Sequence, residues 1–201
     1  MVPGATAVAN AGACALQHSG ATRSIDTLIA PLRRAPRTLV ERARPEHVPE
    51  LMALAQRLIG GQLAPEHIIR EVASRHPDAV WIFSRQACFI GGIAILMLNA
   101  AGLKALLSAT LDTFNPDPGL LSEPGEAPAG IYLWGFGQLS GSEGVLRVLQ
   151  RFQEAPYRSA NVYARPVTEH GLRFLTSLGF QPVPAHPGGL YGYVRPRNEL
   201  N

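Results

Sequence analysis

Residues 161–183 read Asn161-Val-Tyr-Ala-Arg-Pro-Val-Thr-Glu-His-Gly-Leu-Arg-Phe-Leu-Thr-Ser-Leu-Gly-Phe-Gln-Pro-Val183. Val162-Tyr163-Ala164 is a short apolar run, as for a strand. Pro166 follows, and proline fits the first turn of a helix because the amide it lacks has no partner there. Val167, Leu175 and Leu178, with Gly171 between them, repeat at helical spacing and predict one buried face. Gly179 is placed to end that helix in a positive-φ conformation, and Phe180 to Val183 predict the next strand.

This strand–helix–Gly-Phe–strand unit resembles the closing block of the GNAT superfamily, the acyl-CoA-dependent N-acyltransferases. The block has the form N-x-x-A-x-x-L-Y-x-x-L-G-F, and Leu178-Gly179-Phe180 matches its end. Aligned on that ending, the family's asparagine falls on Thr168, its alanine on Gly171 and its tyrosine on Leu175.

The order of elements around the block agrees with the resemblance. Arg37 to Arg42 reads as a first strand. Val48, Leu51, Leu54, Ala55 and Leu58 mark a helix ended by Gly60-Gly61, and Ile68, Ile69 and Val72 mark a second over Pro65 to Arg75. In the family, two helices after the first strand frame the acceptor-substrate side. Ala79 to Ser84 and Phe89 to Leu98 predict a hairpin turning near Arg85-Gln86. Gly91-Gly92 inside the second strand signals a bulge or a close backbone approach. The competing reading of Ala87 to Leu103 is a membrane span, but the run is short for one and holds Asn99 and two central glycines.

Ala100 to Leu111 has a helical pattern, and Asn115 to Ala129 is a Pro/Gly-rich loop. The family usually has only a short turn here. The insertion of about 100–129 would sit beside the substrate channel as a lid or acceptor wall, or else be a surface decoration or a dimer contact. Ile131 to Phe136 reads as the fourth, central strand, followed by a glycine-containing turn and a helix with Val145, Leu146, Val148, Leu149 and Phe152. Leu190 to Val194 predicts a last strand. The fold class expected is α/β: one mixed, mostly antiparallel twisted sheet with helices on both faces.

A strand, a glycine turn and a helix aim free backbone amides at a phosphate. The resemblance implies that the pyrophosphate of an acyl-CoA, acetyl-CoA or a longer one, lies on the family's Q/R-x-x-G-x-G/A loop. Here Gln138-Leu139-Ser140-Gly141-Ser142-Glu143 matches the first and fourth positions, while Glu143 stands where Gly or Ala is usual. Ser140 and Glu143 also have capping-box spacing. A carboxylate there would repel the diphosphate by on the order of 1 kcal/mol or more. Either Glu143 swings outward, with Gly144 taking the small position, or the site is degenerate. The resemblance thus implies cofactor contacts at Leu133, Trp134 and Gly135 on the fourth strand, and at Gln138, Leu139, Ser140, Gly141, Ser142 and Gly144.

Acyl transfer from a thioester needs a polarised carbonyl, an uncharged amine and a proton for the departing thiolate. The family polarises the carbonyl with a backbone amide of its fourth strand and often protonates the thiolate with a tyrosine. Leu175 at that position has no proton to give. Tyr163, Tyr191 and Tyr193 are substitutes, and Glu41, Glu169 and His170 are candidate bases; no catalytic residue is assigned.

Bulk properties agree. The chain has 201 residues, 46% of them hydrophobic, and a net charge of +3, which suits one domain of ordinary size. Lys104 is the only lysine, and the arginines are scattered rather than striped, so no nucleic-acid partner is expected. Cys14 and Cys88 make no CxxC, and the histidines make no i, i+4 pair, so no metal is expected. Residues 1–36 are rich in small residues and read as a flexible tail, an arm packed on the domain or a partner, or an upstream start; 37–201 form the domain. A cytoplasmic protein acting on a small-molecule or protein amine is expected, with no membrane partner and a homodimer left open. The alternative is a catalytically degenerate domain of the same shape, serving as a ligand-binding or interaction module.

Overall fold

Hydrophobic alternation and helical periodicity lay down twelve main elements in the computed structural model, which describes residues 38–59 and 62–195. They are β1 (Leu39–Arg42), α1 (Val48–Leu58), α2 (Glu66–Arg75), β2 (Val80–Arg85), β3 (Cys88–Leu98), α3 (Ala100–Leu107), β4 (Gly130–Gln138), α4 (Glu143–Arg151), β5 (Asn161–Ala164), α5 (Glu169–Ser177), β6 (Gln181–Pro182) and β7 (Tyr191–Tyr193). The expected tail, Cys14 and His18 lie outside the described residues.

The strands form one sheet in the order β1-β2-β3-β4-β5-β7-β6. Every neighbouring pair is antiparallel except β4 and β5, which run parallel. One face carries α4 and α5, whose Val145, Val148, Leu149 and Leu175 pack on Phe83, Ile93, Ile95, Ile131 and Leu133. The other carries α1, α2 and α3, whose Val48, Leu51, Ile69, Val72 and Leu106 pack on Val80, Leu96, Leu98 and Tyr132. The run read alternatively as a membrane span is β3 in the middle of this sheet, buried from both sides. Among the described residues no helix is long and apolar enough to cross a membrane.

Gly91 and Gly92 fulfil both meanings a strand glycine can have. β3 slips register beside them, with Phe83 opposite Gly91 and Ser84 opposite Phe89. A Cβ on Gly91 would lie 2.4 Å from the Gly137 carbonyl oxygen, and one on Gly92 would lie 2.4 Å from Leu51 of α1. The glycines let α1 and β4 close on β3.

Several boundaries differ from expectation. Helix α5 starts at Glu169, not at Pro166: Thr168 is its N-cap, its Oγ1 accepting from the Gly171 amide at 3.0 Å. The residue before a proline is held extended, so Arg165 cannot start a helix. Val167, read as buried, is therefore 68% exposed. Helix α3 stops at Leu107 rather than Leu111, and Ala109 turns the chain at φ 58°. Strand β4 runs on past Phe136 to Gln138, because Gly137 and Gln138 pair with Gly92 and Gly91.

One side chain makes three of the hydrogen bonds that hold the insertion between β3 and β4. Asn99 Oδ1 caps α3 at the Gly102 amide (2.9 Å), while its Nδ2 donates to the carbonyls of Gly119 and Leu121 (2.8 and 3.2 Å). A Cβ on Gly102 would lie 2.1 Å from the Leu120 carbonyl oxygen, so only glycine lets helix and loop meet.

Candidate active site

Strands β4 and β5 pair over only four residues each, Gly130–Leu133 against Asn161–Ala164. Beyond that point β5 ends, while β4 continues to Gln138 on β3 alone. The peptide groups on the β5-facing edge of β4 therefore lose their ladder from Trp134 onward. At the same place the register with β3 slips: Ala94 faces Gly135 and Ile95 faces Leu133, which leaves Trp134 as a bulge. A bulge re-aims its backbone out of the ladder. The Trp134 indole crosses to the insertion and donates to the Thr113 carbonyl at 2.8 Å. On the opposite side Phe136 packs on Phe174 of α5, ring centres 5.7 Å apart.

This divergence opens a cleft of about 660 Å³. It passes through the sheet plane, from the β4–α4 turn and α5 on one face to the α1–α2 loop and the insertion on the other. Gln138, Gly141, Ser142, Thr168, His170, Gly171 and Phe174 line the first side; Leu58, Ile59, Gln62, Leu63, Thr113 and Phe114 line the second. An apolar recess of about 80 Å³ adjoins it under α1, bounded by Leu51, Ala55, Leu58, Ile93, Trp134 and Gly135.

The turn between β4 and α4 is organised by Gln138. Its Oε1 accepts from the Gly144 amide at 3.1 Å, and its Nε2 donates to the Ser140 carbonyl at 2.7 Å. Gly141 takes the turn at φ 71°, with open space where a side chain would point. The expected Ser140/Glu143 capping box does not form. The N-cap is Ser142, which makes no side-chain cap. Glu143 turns away to Arg147, 3.3 Å distant and one helical turn on. The first-turn amides of Glu143 and Val145 have no acceptor among the described residues, whereas that of Leu146 donates to the Ser142 carbonyl. Gly144 is a packing position: a Cβ there would lie 2.5 Å from the Phe83 ring.

Of the residues proposed to hold the cofactor, Leu133, Trp134, Gly135, Gln138, Gly141 and Ser142 line the cleft. Leu139, Ser140 and Gly144 do not. The Leu139 amide donates to the Ile90 carbonyl, Ser140 Oγ is 3.4 Å from Arg85 Nη1, and Gly144 is buried with its amide on Gln138. Among the proton-transfer candidates, His170 lines the cleft, while Glu41, Glu169, Tyr163, Tyr191 and Tyr193 do not. Glu169 pairs with Arg173 at 2.9 Å. Tyr163 is buried, its ring filling the space over Gly130 and Gly192. Leu175, where the family has tyrosine, is 0% exposed in the α4–α5 core.

Two cleft residues escaped the sequence reading. Tyr132 stands on β4 one residue before the strands part, only 4% exposed, and its hydroxyl has no hydrogen-bond partner among the described residues. Burial pushes its phenol above the ordinary value, partly offset by the nearby Arg165 guanidinium. Arg165 follows directly on β5 and has no ion-pair or hydrogen-bond partner among the described residues. A strand alternation count puts Tyr132 opposite Ile131 and Leu133, which was the available signal for the tyrosine. Nothing local distinguishes Arg165 from the other scattered arginines. Among the described residues, no cluster of three metal-ligating side chains exists and no carboxylate lines the cleft.

No protein-family model matches the chain, and a comparison with curated proteins finds no match either. Solved structures do match. The loading GNATL domain of CurA from Lyngbya majuscula superposes with a TM-score of 0.50 at 16% identity, over 64% of each chain. The GphF GNAT-like decarboxylase, solved with isobutyryl-CoA, gives 0.48 at 19% identity over 63% of this chain and 64% of that one. Chaetomium thermophilum Naa20, solved with a bisubstrate analogue, gives 0.49 at 15% identity over 77% and 83%. The match thus spans under two thirds of the first two proteins' own length. The chain, with its one mixed seven-stranded sheet and helices on both faces, superposes on the first of these and has a divergent GNAT fold.

Proposed function

We propose that the chain binds an acyl-CoA and transfers its acyl group to an amine. One observation carries the reading: the Gly141-Ser142 turn, Val145 with its unpaired amide at the start of α4, and the bulged strand β4 line the same cleft. A diphosphate lies at the amides of Glu143 and Val145, where backbone N–H groups and the helix dipole favour negative charge. The pantetheine arm follows the free edge of β4 to Trp134. There a backbone amide near Trp134 and Gly135 polarises the thioester carbonyl. The acyl methyl or a short acyl chain enters the apolar recess beneath α1. The amine arrives from the side of the α1–α2 loop and the insertion, attacks the carbonyl carbon, and the C–S bond breaks as the tetrahedral adduct collapses. His170 is the ionisable base on the cleft wall, and it takes the amine's proton directly or through water.

Glu143 does not oppose this arrangement, because its carboxylate is directed to Arg147. Gln138 reduces the number of amides offered by one.

A second reading, a binding module without turnover, is favoured by Leu175, which is fully buried and offers no proton to a thiolate. The two readings share the cofactor site and part on chemistry.

Ser142→Asp tests the cofactor site. An aspartate at this uncapped N-terminus satisfies the first-turn amides and complements the dipole, which stabilises the helix by about 0.5–1 kcal/mol. The same carboxylate repels a diphosphate. Raised melting temperature with lost calorimetric binding of acetyl-CoA is the expected pair of results. Unchanged acetyl-CoA affinity in a stabilised variant would remove the diphosphate from this turn. Release of free thiol from acetyl-CoA in the presence of a mixed amine panel separates transferase from module.

A further inference from the structure

We infer that the acceptor amine carries a carboxylate, which Arg165 and Tyr132 hold at the far side of the cleft. This rests on the transferase reading for the word acceptor, but the anion site itself stands on independent geometry.

The position of Arg165 is set by three elements. Strand β5 ends at Ala164, and Pro166 keeps Arg165 extended, so its side chain leaves the sheet where β4 and β5 part. The guanidinium then lies over Gly188: a Cβ on that glycine would be 2.6 Å from Nη2 and 2.9 Å from Cζ. Gly188 is itself pinned. Its amide donates to His186 Nδ1 at 3.1 Å, which leaves Nε2 of that ring to donate to the Leu106 carbonyl of α3 at 3.0 Å. The 183–190 loop is thus tied to the α3 face of the sheet, and Arg165 with it.

That face is the one to which Tyr132 points, in the same core as Leu106 and Leu190. It is opposite the α4 N-terminus, on the other side of the sheet. A cation tied to this face is directed to whatever enters past Gln62, Thr113 and Phe114. Arginine presents a planar fork suited to a carboxylate, and a nearly buried phenol without a partner is a donor awaiting an acceptor. No carboxylate lines the cleft among the described residues to pair with a plain ammonium ion. An amine that also bears a carboxylate, such as an amino acid or a peptide end, meets complementary charge.

The test uses the full chain and a panel of N-acetyl-amino acids with their methyl esters, read by calorimetry and by quenching of Trp134 fluorescence, with acetyl-CoA titrated separately. The free acids are expected to bind at least about tenfold more tightly than their esters, the size of one charge-assisted contact. Arg165→Gln is expected to erase that difference and to leave acetyl-CoA affinity within about twofold. Gly188→Ala, whose added methyl displaces the guanidinium, is expected to do the same in part. Equal binding of acids and esters, binding of neither, or a loss of acetyl-CoA affinity in Arg165→Gln as large as the loss of acid binding would each overturn the inference. Acid binding that depends on Arg165 without any acetyl-CoA binding would sink the transferase reading and leave the anion site standing.

Discussion

Two nearly buried tyrosines in this molecule live under opposite rules. Tyr157, 2% exposed, donates its hydroxyl to Asp78 Oδ2 at 2.6 Å. Asp78 is held on its other oxygen by Arg42 at 2.8 Å, and its amide donates to His76 Nδ1. Arg42 in turn lies over the Trp81 ring, whose indole donates to the Asp78 carbonyl. The side chains of Asp78, Tyr157 and Trp81 each have a partner, and the cluster ties β1 and β2 to the turn after α4. Tyr132, 4% exposed, has a hydroxyl with no protein partner among the described residues, and the arginine beside it has none either. Buried polar groups are normally satisfied. The first region meets that rule within the chain; in the second, Tyr132 and the exposed Arg165 face the open cleft. The contrast separates polar groups that hold the fold from polar groups left open to the cleft.

The most severe way to probe the contrast is a tyrosine in neither environment. Leu175→Tyr, which restores the family's residue, places a phenol in a dry core among Leu178, Phe180 and Val148. Overpacking and an unpaired hydroxyl are expected to cost about 3 kcal/mol in denaturant unfolding, without a gain in turnover. A stable, faster variant would show that the core can open a path from α5 to the cleft. Next comes Tyr157→Phe, which removes a hydrogen bond to a buried carboxylate and is expected to cost about 2 kcal/mol. A cost under about 0.5 kcal/mol would mean that Arg42 alone satisfies Asp78.

A smaller effect appears in the pH dependence of stability. Burial and the Asp78 carboxylate hold the Tyr157 phenol far above its ordinary value of 10. The folded chain keeps that proton when the unfolded chain has lost it, so stability falls as pH rises above 10. His76 is shifted the other way, chiefly by desolvation. The unfolded chain takes up its proton first, so stability falls as pH drops below 6.5. Thermal unfolding of Tyr157→Phe across the alkaline range should be flatter than that of the parent, and an unchanged slope would assign the alkaline loss to other groups. Smallest of all is Tyr132→Phe. Removing a hydroxyl that has no protein partner should change stability by less than about 0.5 kcal/mol. A loss near that of Tyr157→Phe would place Tyr132 in the fold's own polar network and end the comparison.

Much of the architecture was written in local pattern. Val48, Leu51 and Leu54 fixed the buried face of α1, Gly91-Gly92 announced the close passage of α1 and β4, and Leu178-Gly179-Phe180 closed the last helix. These features depend on periodicity and on glycine, both of which act over a few residues. Where a local device competed with another, pattern alone misjudged. Thr168 capped α5 in place of Pro166 and sent Val167 to the surface, and the N-cap of α4 fell on Ser142, so Ser140 and Glu143 formed no capping box.

The sequence by itself determined the order of elements and the α/β class, because burial of apolar faces at periods of two and 3.6 leaves few ways to stack them. Only the tertiary structure decided where β4 leaves β5, which amides of α4 stay open, and that Arg165 comes near both Tyr132 and Gly188. Those meetings join residues 33 and 23 positions apart, from Tyr132 to Arg165 and from Arg165 to Gly188. No short-range pattern encodes them; they exist because the sheet brings strand ends together.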